Sequence, residues 1–119
     1  MQSAYDAFQE GNRLLATQNP HAAVIALERA RELEPDKASV RETLARAYYG
    51  SGRFTQAREE FERAVEIEPV NDYAHFGLGL CLMRAGDRVG ARAHLRLAVA
   101  MRPQQEYRDA LARVSDDAA

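Results

Sequence analysis

Ala64-Val65-Glu66-Ile67-Glu68-Pro69 decides the fold, because a matching run stands 34 residues earlier, Ala30-Arg31-Glu32-Leu33-Glu34-Pro35, and another 34 residues later, Ala98-Val99-Ala100-Met101-Arg102-Pro103. A fixed period of this length makes the chain an array of supersecondary units, none of which can bury its apolar face alone. Superposing the three segments brings more positions into register: Gly11, Ala45 and Gly79; Leu14, Tyr48 and Leu82; Ala23, Ala57 and Ala91; Leu27, Phe61 and Leu95; Ala30, Ala64 and Ala98.

Each unit divides at a turn signal into two helical stretches. The signals are Thr17-Gln18-Asn19-Pro20, Gly50-Ser51-Gly52-Arg53 and Ala85-Gly86-Asp87-Arg88, and Pro20 suits a first helical position, where a missing amide proton costs nothing. Pro35, Pro69 and Pro103 cannot continue the second helix of each pair and bias their predecessors away from helical angles. Six helices are predicted, at about 3–17, 20–33, 37–50, 54–67, 71–84 and 88–101. A seventh is predicted over 104–114, where Tyr107, Ala110, Leu111 and Val114 fall on one face and can cover the last hairpin. The tail 115–119 has nothing to bury and is expected to be disordered.

The small-large-small-large-small-Pro pattern resembles the tetratricopeptide repeat over about residues 2–103. The resemblance implies an all-α, right-handed superhelix of three hairpins (about 4–37, 38–71 and 72–105) with a C-terminal capping helix, in one domain spanning 1–119. Ala7, Arg41 and His75 stand where the family favours a large aromatic residue, so thin packing between repeats is expected there. Gly77 and Gly90, each costing about 1 kcal/mol in a helix relative to Ala, make the third repeat the loosest by expectation.

Bulk composition excludes several functions. At 119 residues, folding buries only about two-thirds of the surface that the unfolded chain exposes, so there is no room for a second core. No apolar run approaches the ~20 residues of a membrane span. The start, Met-Gln-Ser-Ala-Tyr-Asp, lacks a basic region followed by an apolar stretch, and a cytoplasmic location is expected. Net charge is −2, which gives no global attraction to nucleic acid or an acidic membrane. Its distribution is uneven: residues 1–70 carry 9 basic and 12 acidic side chains (net −3), residues 71–119 carry 7 and 6 (net +1).

Catalysis needs convergent groups, and none is legible. Cys81 is the single cysteine and sits in an apolar run, where it reads as a small buried hydrophobe. His75 lies six residues from it, about 240° around a helix, too far for a nucleophile and its base. His21 and His94 have no second ligand at metal-binding spacing, and no phosphate-cradling or zinc motif occurs. The expected protein is a non-enzyme without metal or cofactor.

Binding remains. In the family that the chain resembles, first helices line a concave groove; carried onto this sequence, its inward residues are Tyr5, Phe8, Asn12, Leu15 and Ala16, then Ser39, Glu42, Arg46 and Tyr49, then Tyr73, Phe76, Leu80, Met83 and Arg84. Tyr5 and Phe8 precede Tyr73 and Phe76 by two whole periods, with Ser39, Glu42 and Arg46 between. That apolar-polar-apolar strip suits a partner peptide or helix with hydrophobic anchors and a polar centre. Family members that hold chaperone tails use a clamp of Lys, Asn, Asn, Lys and Arg; the corresponding residues here are Phe8, Asn12, Thr43, Tyr73 and Gly77, so such a clamp is not expected. Self-assembly, with the groove or the open N-terminal face buried against another copy, is the alternative. Arg88, Arg92 and Arg96 form a short stripe on the sixth helix without interleaved aromatics, which reads as a solvated face rather than a nucleic-acid site.

Overall fold

The computed structural model describes residues 1–116. Seven helices follow in order: α1 (Ala4–Ala16), α2 (Pro20–Leu33), α3 (Ala38–Gly50), α4 (Phe54–Ile67), α5 (Asp72–Arg84), α6 (Arg88–Met101) and α7 (Gln105–Asp116). Local chemistry sets their ends. The Ser3 hydroxyl accepts from the Asp6 amide at 3.0 Å, while the Asp6 carboxylate accepts from the Ser3 amide, which is a reciprocal cap. Asn71 and Asp87 cap α5 and α6 by accepting from the amides of Ala74 and Gly90 at 2.9 Å. A side chain at Gly90 would need only a small shift of the Asp87 carboxylate. α7 continues through Ser115 and Asp116, two residues beyond its predicted end and into the tail expected to be disordered; residues 117–119 lie outside the described residues.

The helices pair as α1/α2, α3/α4 and α5/α6 and stack α2 on α3, α4 on α5 and α6 on α7, in a body of 54 × 25 × 22 Å. Small residues let the helices of a pair approach: a methyl group built on Gly11 would overlap Leu27, and one on Gly79 would come 2.7 Å from Leu95 Cγ. Between pairs, Phe61 of α4 fills the space that Gly77 of α5 leaves empty. The space at Gly77 is thus filled by a neighbouring ring. That residue is matched to a ring larger than the leucines at the equivalent positions 27 and 95.

The thin packing expected at Arg41 and His75 is also corrected. Arg41 Nε donates to the Pro35 carbonyl at 2.8 Å and its Nη1 to Glu60 at 3.0 Å. Glu60, only 6% exposed, also accepts from Arg31 of the preceding pair at 2.6 Å. One period later, His75 Nε2 meets the Pro69 carbonyl at 2.8 Å and its Nδ1 meets His94 Nδ1 at 3.0 Å. The carbonyl can only accept, so His75 Nε2 carries the proton and His94 Nδ1 donates to the lone pair of His75 Nδ1. Polar bridges replace the aromatic wedge. His75 and His94, read separately from the sequence, thus meet edge to edge with nearly coplanar rings, their centroids 5.2 Å apart.

The two ends are finished differently. α7 covers the last pair with Tyr107, Ala110 and Val114, all buried, and the Tyr107 hydroxyl donates to Asp72 at 2.7 Å. On α1, the positions equivalent to buried Val40, Thr43, Leu44 and Ala47 of α3 hold Asp6, Gln9, Glu10 and Arg13, with Glu10 and Arg13 paired at 2.8 Å. This face is built for water, which disfavours its burial against another copy.

Candidate functional site

The first helices of the three pairs, α1, α3 and α5, lie side by side, each touching the next. On their common face is a pocket of about 200 Å³ lined by Leu15, Arg46, Tyr49, Gly50, Phe61, Tyr73, Gly77 and Leu80. Phe61 reaches this face from α4 because Gly77 gives it passage. The rings of Phe61 and Tyr73 stand 6.4 Å apart, and the Arg46 guanidinium lies 5.4 Å from the Tyr73 ring centre, within cation–π range. Burial raises the Tyr73 phenol above its ordinary pKa, against the pull of Arg46.

A shallower pocket adjoins it, lined by Tyr49, Leu80, Met83, Arg84 and, from α7, Arg113. Arg84 Nε donates to the Tyr49 hydroxyl at 2.8 Å. Its guanidinium lies 4.1 Å from the centre of the Phe54 ring, and Phe54 meets Tyr49 edge-on at 5.0 Å. Two arginines held on aromatic faces therefore rim an apolar floor. Glu42, half-buried on the same face, accepts weakly from Asn71 at 3.4 Å; burial raises its carboxyl above the ordinary range, with Asn71 and Arg46 opposing.

The strip read from sequence is only partly assembled. Tyr5 is 68% exposed, with its hydroxyl accepting from Gln9 at 2.8 Å. Phe8 packs against Ala7, Ala30 and Val40, and the two line a separate small hollow with Glu34 and Lys37. Asn12 spends its amide on the Phe8 carbonyl at 3.1 Å. Phe76 is a correction: it is 4% exposed and stacked on Tyr107 at 4.7 Å. The register explains this, since the large Tyr107 covers Phe76 where its equivalent in α3, Ser39, is too small to cover Phe8. Phe54, Phe61, Gly77 and Arg113 were not foreseen at the site. Phe61 carried a signal, being the one ring among leucines at its repeat position.

Cys81 is buried, and burial pushes its thiol up to about 11, away from the reactive thiolate. Among the described residues no group of three or more His, Cys, Asp or Glu could hold a metal ion, and no helix is long and apolar enough to cross a membrane.

The family model described as tetratricopeptide repeat matches residues 42–106, and a second of the same description matches 14–69. The chain belongs to the tetratricopeptide repeat family. Among curated relatives, the tetratricopeptide repeat and J domain-containing co-chaperone DNJ1 of Cryptococcus neoformans is 33% identical over 104 residues, 87% of this chain and 20% of that protein. The TPR repeat-containing thioredoxin TTL4 of Arabidopsis thaliana is 30% identical over 95 residues, 80% of this chain and 14% of that one. The chain thus spans a fifth or less of the curated relatives it matches. Among solved structures, the first tetratricopeptide domain of Spaghetti (RPAP3), bound to the HSP90 peptide SRMEEVD, superposes with a TM-score of 0.92 at 16% identity, covering 97% of this chain and 92% of that one. At that identity the likeness establishes the tetratricopeptide fold.

Proposed function

We propose that the chain is a protein-interaction module, rather than an enzyme, that holds a peptide segment of a partner in this pocket of its concave face. An apolar side chain of the segment sits between Tyr49, Tyr73 and Leu80 above Phe61, and polar or acidic groups of the segment meet Arg46 and Arg84. The observation that carries this reading is the pocket itself: about 200 Å³ of open, aromatic-walled space drawing residues from three consecutive first helices, with cations already oriented at its rim. Rings held this way offer large contact area at low entropic cost.

The solved relative holds SRMEEVD, and our reading separates this chain from that ligand. Of the five clamp positions only Asn12 keeps the family's residue, and its amide is engaged by the Phe8 carbonyl. Thr43 is buried with its hydroxyl donating to the Ser39 carbonyl at 2.8 Å, and Gly77 lies against Phe61. No clamp cation remains.

A random 12-residue peptide library selected on the wild-type chain tests both statements. Recovered peptides should carry an apolar anchor and lose at least tenfold in affinity on Leu80→Ala and several-fold, in a salt-dependent way, on Arg46→Ala, while SRMEEVD should bind neither form. Selected peptides that bind both variants as tightly as wild type would sink the pocket, and tight binding of SRMEEVD would sink the exclusion.

A further inference from the structure

The second helices of the three pairs form the opposite, convex side, and their outward positions can be compared period by period. On α2 they are His21, Ile25, Arg29 and Glu32; on α4, Thr55, Glu59, Arg63 and Glu66; on α6, Val89, Ala93, Leu97 and Ala100. All four α6 residues are exposed, Val89 at 76% and Leu97 at 43%, with Met101 beside them at 38%. The outer face of α6 is therefore apolar along its whole length where its equivalents are mostly charged, and a run of this kind on a surface marks an interaction site.

The charges beside the stripe select the occupant. On α2 and α4 the arginines are neutralised locally: Arg29 by Glu32, Arg58 by Glu62, Arg63 by Glu66 and Asp36. α6 contains no Asp or Glu, and Arg92 and Arg96, along its edge toward α7, make no ion pair among the described residues. On the other side α4 carries Glu59, Glu62 and Glu66 at or near its outward positions, with Glu62 and Glu66 already paired to Arg58 and Arg63 and Glu62 acting on the charge of His94 in α6. A bilayer or nucleic acid, uniformly anionic, offers no discrete carboxylates placed along one edge of an apolar strip, whereas an amphipathic helix does. A second copy presenting its own α6 brings no carboxylate to Arg92 and Arg96.

We propose that the convex face of α6 docks an amphipathic helix of a partner protein, apolar along one face and acidic along the edge that meets Arg92 and Arg96. Such a helix laid along α6 pairs apolar stripe with apolar stripe and gives the two arginines their carboxylates. This site is separate from the concave pocket, and both can be filled at once.

A displayed library of 18-residue helical peptides, selected on the wild-type chain and depleted on a Val89→Ser/Leu97→Ser variant, tests the proposal. Both substituted residues are exposed, and unchanged far-ultraviolet circular dichroism checks the fold. The recovered pool should be acidic and amphipathic. Its members, measured by fluorescence polarisation, should weaken at least tenfold on Val89→Ser/Leu97→Ser and on Arg92→Glu/Arg96→Glu, and bind Leu80→Ala like wild type. A basic pool, no pool that separates the two baits, or equal loss on Leu80→Ala overturns the proposal. So does sedimentation of the chain with phosphatidylserine/phosphatidylcholine vesicles, or a dimer in equilibrium sedimentation, that disappears with Val89→Ser/Leu97→Ser; these would assign the stripe to a membrane or to a second copy.

Discussion

The Phe61 ring occupies the volume that a side chain at Gly77 would need: a methyl group there would overlap three of its ring carbons. Positions 61 and 77 therefore act as one unit, the largest residue at its repeat position facing the smallest. Gly77→Ala alone should destabilise the chain by about 1–3 kcal/mol through overpacking, despite the better helix propensity of alanine. In a Phe61→Leu background the same change should be neutral or stabilising. Urea unfolding of the four proteins gives the cycle, and equal effects of Gly77→Ala in both backgrounds would show that the two residues are uncoupled.

Glu60 joins three helices by accepting from Arg31 of α2 and Arg41 of α3 while sitting on α4. Glu60→Gln should cost about 1.5–3 kcal/mol, because two cations lose their carboxylate and one partner is left without an acceptor. The exposed pair Glu10–Arg13 is the control: Glu10→Gln should shift the urea midpoint by far less.

The histidine pair predicts a pH dependence. Burial first, and His75 second, lower the pKa of His94 below 6.5, with Glu62 and Asp87 pulling the other way. A depressed folded-state value means that the unfolded chain binds the proton more readily, so the contribution to stability is complete above 6.5 and is lost as pH falls through the folded value. Melting temperature should therefore drop between pH 7.5 and pH 5.5, and His94→Gln should flatten the slope. A wild-type and variant pair with parallel pH profiles would remove the histidines from the account.

Each hairpin turn places one residue in the left-handed region at the same repeat position: Gln18 at φ 59°, Gly52 at 80° and Gly86 at 84°. Only the first is not glycine. Gln18→Gly should raise stability by a few tenths to about 1 kcal/mol, whereas Gly52→Ala should lower it by about 1 kcal/mol. Thermal melts of the two variants should move in opposite directions.

Periodicity made the fold legible. The six paired helices lie within about a residue of the boundaries read from turn signals and prolines, because proline and helix-capping chemistry act over one turn of chain and need no tertiary partner. Only α7 departs further, ending two residues late. The site was less legible. Tyr49, Tyr73, Leu80 and Arg46 meet at one pocket, but Phe76, at a position read as inward, is covered by a ring from α7, and Tyr5 and Phe8 line a different hollow.

Sequence by itself determined the repeat and the element order, since both rest on spacing along the chain. Tertiary structure decided which inward residues stay open, that Glu60 gathers two arginines, and that His75 and His94 touch. Those outcomes turn on the sizes and charges of residues a whole helix apart: Phe61 against Gly77, Tyr107 against Phe76, Glu60 against Arg31 and Arg41. A side chain's exposure is set by whatever the next helix brings against it, and that neighbour is fixed only once the hairpins stack.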